Sequence, residues 1–146
     1  MNDNRKNRTI AVLQTITAMG FILFWIGVFT IGLAPENPPK CYFVFEHAFP
    51  LPDVVLSVAL FISAIFVLRK NPLGRVLSLI SAGALVFLGL LDFSFNYQNG
   101  VCCISTLDFI MNACINACYV AFGLSIILHF SKTPTSTSPN YSLNST

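Results

Sequence analysis

The chain has 146 residues, of which 55% are hydrophobic and only 10% are charged. A soluble domain carries about 25% charged residues, so this composition excludes a soluble globular domain. The eight Lys and Arg residues lie at the ends of hydrophobic stretches rather than in one patch, and nucleic-acid binding has no support.

Four hydrophobic stretches are long enough to cross a membrane. A span needs roughly 20 apolar residues, and its backbone groups must be satisfied within the segment, which predicts helices rather than isolated strands. The predicted spans cover residues of about 10–33, 53–70, 72–95 and 107–130, between a short amino-terminal segment, 1–9, and a polar tail, 131–146, that is predicted to be disordered. The predicted fold is therefore all-α, an integral membrane four-helix transmembrane bundle with antiparallel neighbours.

The basic residues predict the orientation of this bundle. Only Lys40 falls on one side of the four spans. The others all fall on the opposite side: Arg5, Lys6, Arg8, Arg69, Lys70, Arg75 and Lys132. Since Lys and Arg mark cytoplasmic loops, we expect a multi-pass protein of the plasma membrane with both termini in the cytoplasm.

The segment between the first two spans, residues 34–53, contains five prolines, which exclude a regular helix through it. Its aromatic-rich part includes Glu46 and His47, and aromatic side chains favour the membrane interface. We expect this part to lie on the outer face of the bundle. Asp53 is expected to cap the second helix, where a carboxylate meets free N–H groups.

The third predicted helix carries a small and polar stripe. At about 100° per residue, one side of it holds Ser78, Ser81, Ala82, Gly89, Asp92 and Asn96. The stripe is predicted to face the bundle interior and to carry Asp92 inward near the outer boundary. An ionisable group within a span is a functional candidate, whereas the alternative is that Asp92 merely ends the helix in contact with water.

The fourth predicted helix has Asn112 and Asn116 one turn apart, either as structural hydrogen-bonding groups between helices or as part of a ligand site. The candidate ligand-binding residues are the polar groups predicted on the outer side: Glu46, His47, Asp53, Asp92, Asn96, Asp108 and Asn112. They could line one pocket open to the outside. A single His with scattered carboxylates lacks a recognised metal-ligand spacing, so no metal site and no cofactor are predicted.

Three of the five cysteines, Cys41, Cys102 and Cys103, are predicted to lie outside, where disulfides persist. A bridge from Cys41 to either of the other two and free thiols remain alternatives. Cys114 and Cys118 do not form the C-x-x-C of a thiol oxidoreductase and are interpreted as small apolar residues.

The segments Phe45–Asp53 and Leu90–Gly100 resemble those of small prokaryotic membrane proteins with four helices, a group that brings no known activity. The resemblance covers most of the chain and implies the fold alone. The predicted bundle is also similar in size and hydropathy to the DoxX-type and vitamin K epoxide reductase-type proteins. It lacks the C-x-x-C that reductases of the second type use, which puts that chemistry in doubt.

The leading functional hypothesis is a non-enzymatic membrane protein that binds a small molecule or a partner at the outward-facing polar pocket. One alternative is a membrane-embedded enzyme, either a thiol oxidoreductase or an acid–base catalyst acting on a lipid-like substrate. The acid–base catalyst would need a residue with a shifted pKa. Another is an accessory subunit that packs against a second membrane protein or a second copy of this chain. The lipid bilayer is the partner that all three hypotheses share.

Overall fold

A computed structural model describes residues 3–32, 45–99 and 106–132, and of residues 3, 106–109 and 111 it describes the backbone alone. Four long helices make up most of this part of the chain: α1 (Asp3–Ile31), α2 (Pro50–Leu68), α3 (Pro72–Gln98) and α4 (Thr106–Ser131). Each is long and apolar enough to cross a membrane. The prediction of an all-α chain with four such helices is confirmed.

The helices begin and end a few residues away from the predicted span limits. The largest difference is at the start, where α1 begins at Asp3, so most of the predicted polar segment 1–9 is helical. Arg and Lys are good helix formers. The polar first turns of α1 also contact α4, where His129 Nε2 lies 2.7 Å from Asn7 Oδ1. At the starts of α2 and α3, Pro50 and Pro72 occupy the first turn, where the missing N–H of proline costs no hydrogen bond.

The four helices form an antiparallel bundle in chain order. α1 packs on α2, α2 on α3 and α3 on α4, and the stacked rings of Phe21 and Tyr119, 4.8 Å apart, link α1 to α4. Two clusters of buried apolar side chains fill the interior, one centred on Leu60 and Leu85 and the other on Ile126.

The bundle has two chemically different ends. At the acidic end, α1 and α3 finish and α2 and α4 begin, and Asp53 and Asp92 lie there. The opposite end, called the basic end below, holds the Lys and Arg residues of the described chain: Arg5, Lys6, Arg8, Arg69, Lys70, Arg75 and Lys132.

Close helix packing at glycines brings α3 and α4 together near the acidic end. A Cβ atom at Gly89 would lie 2.9 Å from Val120 Cγ2 and 3.2 Å from the backbone oxygen of Asn116. Because only glycine leaves this space, α4 approaches α3 one turn below Asp92. The contact sets the distance between the polar side chains of the two helices.

Candidate functional site

Three carboxylates from three separate elements meet at the acidic end. Glu46 belongs to the short segment 45–49, Asp53 to α2 and Asp92 to α3. Glu46 interacts electrostatically with both aspartates and with His47. We call Glu46, Asp53 and Asp92 the acidic cluster. The structure therefore brings together residues that lie far apart in the sequence.

Asp53 is the most buried member of the acidic cluster, with only 5% of its surface exposed. The indole N–H of Trp25 in α1 donates a hydrogen bond of 2.8 Å to Asp53 Oδ2. The second oxygen, Oδ1, is buried and accepts no hydrogen bond within the described residues. A buried carboxylate oxygen that accepts nothing is costly to maintain.

The prediction that Asp53 caps α2 is wrong. The helix starts earlier, at Pro50, and its N-cap residue is Phe49, which makes no side-chain cap bond. Asp53 lies in the first turn but four residues after the N-cap position, and its own N–H donates to the oxygen of Phe49 at 2.9 Å. Its side chain is thus free to cross to α1, where it bonds Trp25.

Asp92 is held by amide groups from two helices. Asn116 Nδ2 in α4 donates to Asp92 Oδ2 and also to Asn112 Oδ1, at 3.1 Å in the latter case. Asn96, one turn along α3, bonds to Asp92 as well. The prediction that the polar stripe of α3 faces the interior is confirmed, because its members are buried, apart from the half-buried Asp92: Ser78, Ser81, Ala82, Gly89 and Asn96.

Aromatic stacking holds the segment 45–49 against the acidic end. The rings of Phe45 and Phe95 stack face to face with centroids 3.6 Å apart, and Phe49 packs edge-on against Phe45 at 4.7 Å. Backbone bonds from Ala48 to Phe45 and from Phe49 to Glu46, of 3.0 and 3.1 Å, shape the turn. The half-buried Glu46 is consequently fixed above the bundle end.

Burial and the neighbouring carboxylates raise the pKa of Glu46 to about 7. Loss of solvent is the largest cause, Asp92 and Asp53 add to it, and His47 acts in the opposite direction. Glu46 therefore gains or loses a proton near neutral pH, while His47 beside it is exposed.

The acidic cluster has no Lys or Arg partner in the described chain, since those residues lie at the basic end. Within the same residues, no three side chains of His, Cys, Asp or Glu are placed to hold one metal ion. Carboxylates are acceptors only. The arrangement suits a positively charged group that donates hydrogen bonds.

Other predicted residues fall outside the described part. The side chain of Asp108 lies outside it, as do Cys41, Cys102 and Cys103, so the predicted outer disulfide stays a prediction. Cys114 and Cys118 are free thiols, exposed on the surface of α4, whereas Asn116 between them is buried. Their interpretation as small apolar residues stays a prediction.

A second polar network, nearer the basic end, involves residues outside the predicted site. Gln14 Nε2 in α1 lies 3.1 Å from Ser63 Oγ in α2 and 3.0 Å from Ser78 Oγ in α3. The two serine oxygens are 2.7 Å apart. We call these three residues the amide–hydroxyl network. Gln14 could have been recognised from the sequence, because it is the one amide side chain in the first predicted span. No sequence pattern pairs Trp25 with Asp53.

Comparisons with models of protein families, with curated proteins and with solved structures found no match. The resemblance to small prokaryotic membrane proteins stays a prediction.

Proposed function

We propose that this chain is a multi-pass protein of the plasma membrane that binds a small organic cation at an outward-facing acidic cluster. The observation that carries the proposal is the buried Asp53 carboxylate, whose Oδ1 accepts no hydrogen bond within the described residues, beside two further carboxylates.

Membrane insertion is supported by the surface of the four helices. Large apolar side chains are exposed along each of them, among them Leu23 at 60%, Val55 at 61% and Phe87 at 63%. Water would not stabilise such a surface, whereas lipid would. The concentration of Lys and Arg at the basic end supports a cytoplasmic location for that end and an outward location for the acidic cluster.

A cationic ligand would offset the cost of the acidic cluster. A buried carboxylate is stable only when it is paired and hydrogen-bonded, and Trp25 satisfies one oxygen of Asp53. An ammonium group supplies both a positive charge and several N–H donors. Because the carboxylates come from three elements without converging on a metal-sized point in the described chain, an organic amine fits them better than a single ion.

The aromatic side chains beside the cluster favour an amine with an apolar body. Trp25 and Phe45 border Asp53 and Glu46, respectively. Aromatic faces attract cations and also pack against apolar groups. We therefore expect arylalkylamines to bind better than hydrophilic amines.

The binding experiment compares phenethylamine with its uncharged analogue, 2-phenylethanol, on the purified chain at pH 8. We expect phenethylamine to bind at least tenfold more tightly, and Asp53→Asn to abolish that preference while keeping an oxygen for Trp25. Ser63→Ala in the amide–hydroxyl network is the matched control and should retain the preference. Equal affinities of the two compounds for the unaltered chain would contradict the proposal.

Orientation is tested separately with single cysteines in a variant without the native ones. Ala48→Cys reports on the acidic end and Lys132→Cys on the basic end, and both positions are exposed. An impermeant maleimide applied to intact cells should label the first variant alone. Labelling of the second variant alone would mean that the acidic cluster faces the cytoplasm.

The second candidate function is acid–base catalysis on a lipid-like substrate, favoured by the pKa of about 7 for Glu46. It predicts an activity whose pH profile loses its inflection near 7 in Glu46→Gln. Cation binding that persists without any turnover would favour the first candidate.

A further inference from the structure

A cavity of about 560 Å³ lies between α2 and α3, beside the acidic cluster and separate from it. Phe45 and Phe49 bound it at the acidic end, and the lining residues farthest from that end are Ala59 of α2 and Ile80 and Ser81 of α3. Leu91 of α3, near the acidic end, lies about 15 Å from Ser81 along the helix axis, at 1.5 Å per residue. The cavity is elongated along the bundle and falls within the usual volume range of small-molecule sites.

The cavity walls are apolar and open sideways. Ser81 is the one polar side chain among the described residues that line it. Three lining residues, Val55, Ile80 and Phe87, are each more than 60% exposed on the outer surface of the bundle. In a membrane, this opening would face lipid, so a ligand would enter from the bilayer.

The hydroxyl of Ser81 distinguishes this cavity from an ordinary apolar groove. The residue is 1% exposed, and its Oγ has no hydrogen-bond partner in the described chain. Two other helical serines, Ser57 and Ser125, donate to the carbonyl four residues earlier at 2.7 Å. Ser81 makes no such bond, and an unpaired buried hydroxyl is destabilising.

We propose that this cavity binds an uncharged, elongated apolar molecule with one oxygen atom, a hydroxyl or a carbonyl, at its inner end. That oxygen pairs with the Ser81 hydroxyl. A charged group is excluded because it would be buried deep in the bilayer with only one hydroxyl beside it. This inference rests on the proposed membrane insertion and is independent of cation binding at the acidic cluster.

The depth of Ser81 also argues against a phospholipid chain as the occupant. Ser81 lies about nine residues, or roughly 13 Å, from the start of α3 at Pro72. At that depth a phospholipid presents hydrocarbon, because its oxygens stay at the interface. A phospholipid chain would fill the volume but leave the Ser81 hydroxyl unpaired.

The test uses two photoreactive probes, dodecanol and dodecane with the same mid-chain diazirine, and the full chain in phosphatidylcholine nanodiscs. Cross-linked residues are mapped by mass spectrometry. We expect the alcohol to label the lining of the cavity about fivefold more than the alkane, the worth of one hydrogen bond. Ser81→Ala should make the two probes equal, whereas Ser125→Ala, a serine outside the cavity, should keep the fivefold preference.

Folding failure would not explain the expected result. Ser81→Ala removes an unpaired hydroxyl, so its unfolding temperature should equal or exceed that of the unaltered chain. Ala84→Phe, which fills the cavity from its wall, should reduce labelling by both probes. Equal labelling of the unaltered chain by both probes, or a preference for the alcohol that survives in Ser81→Ala, would overturn the proposal and indicate ordinary bilayer chains. Either result would leave the phenethylamine experiment unaffected.

Discussion

The acidic cluster lies at one end of the bundle and the amide–hydroxyl network lies between the helices, and the two differ in charge and in how well their atoms are paired. In the network, Gln14 and two serines bond one another across three helices, and all three are neutral. In the cluster, the donors come from Trp25, Asn96 and Asn116, and the acceptors are carboxylates.

This difference is the basis for proposing a structural role for the network and a binding role for the cluster. The network is not completely satisfied, because Gln14 Oε1 accepts no bond within the described residues. A neutral acceptor in that position costs little compared with a carboxylate oxygen. A cluster of carboxylates without a Lys or Arg partner in the described chain is an expensive way to hold helices together, which supports the proposal that the cluster binds a ligand.

The largest expected effect is at Trp25. Trp25→Phe keeps the apolar ring but leaves the Asp53 carboxylate with no side-chain donor among the described residues, so we expect a loss of about 2–3 kcal/mol of unfolding free energy at pH 8. Equilibrium unfolding in mixed detergent micelles measures it. Adding Asp53→Leu should restore most of the loss, because the unpaired charge is then gone. A loss that persists in the double variant would indicate a packing role for the indole.

Glu46 should make stability depend on pH. Its pKa is about 7 in the folded chain against 4.5 ordinarily, so the folded state holds the proton more tightly than the unfolded state. The contribution of protonated Glu46 to the free energy of unfolding is present in full below pH 4.5 and is lost as the pH rises through 7. Because Glu46 is half-buried, we expect a loss on the order of 1 kcal/mol.

The matched variant is Glu46→Gln, which resembles the protonated form and should remove this pH dependence. His47→Ala reports how much the neighbouring imidazole contributes to the same profile. A profile between pH 5 and 8 that is unchanged in Glu46→Gln would assign the titration to another group.

Gln14→Leu should lose about 1 kcal/mol, because hydrogen bonds between membrane helices are each worth about 0.6 kcal/mol. Ser63 and Ser78 still bond each other in this variant. Phenethylamine affinity should not change, which separates the network from the cluster. A fall in that affinity would show that the two regions are coupled.

The smallest expected effect is at Cys114 and Cys118. Both thiols are exposed on α4, and their joint replacement by Ala should change stability by less than about 0.5 kcal/mol. Cation affinity should also stay the same. Loss of activity or binding in this variant would revive thiol chemistry.

The fold was predictable because its signals are local. Long apolar runs bounded by Pro, Arg and Lys locate α2 and α3, and helical periodicity correctly places the stripe of Asp92 inside. The start of α1 was missed because charged residues extend a helix as readily as they end one. The start of α2 was predicted three residues too late, at Asp53. The helix begins at Pro50, so Asp53 lies beyond the N-cap position.

The candidate site was predictable only in part because its contacts join distant residues. Polar residues predicted to lie at the same end of the four helices indicated Glu46, Asp53 and Asp92, and the structure brings them together. The bond from Trp25 spans 28 positions and depends on how α1 rotates against α2. The cavity at Ser81 likewise depends on helix separation, which no pattern in the sequence records.

The most direct test of the cation site is calorimetry of phenethylamine binding at pH 7 in two buffers with different ionisation enthalpies. A cation at the acidic cluster displaces the proton of Glu46, which is about half occupied at that pH. We predict the release of about half a proton per bound ligand, and clearly less in Glu46→Gln. Binding without proton release, at equal affinity in both chains, would contradict the account.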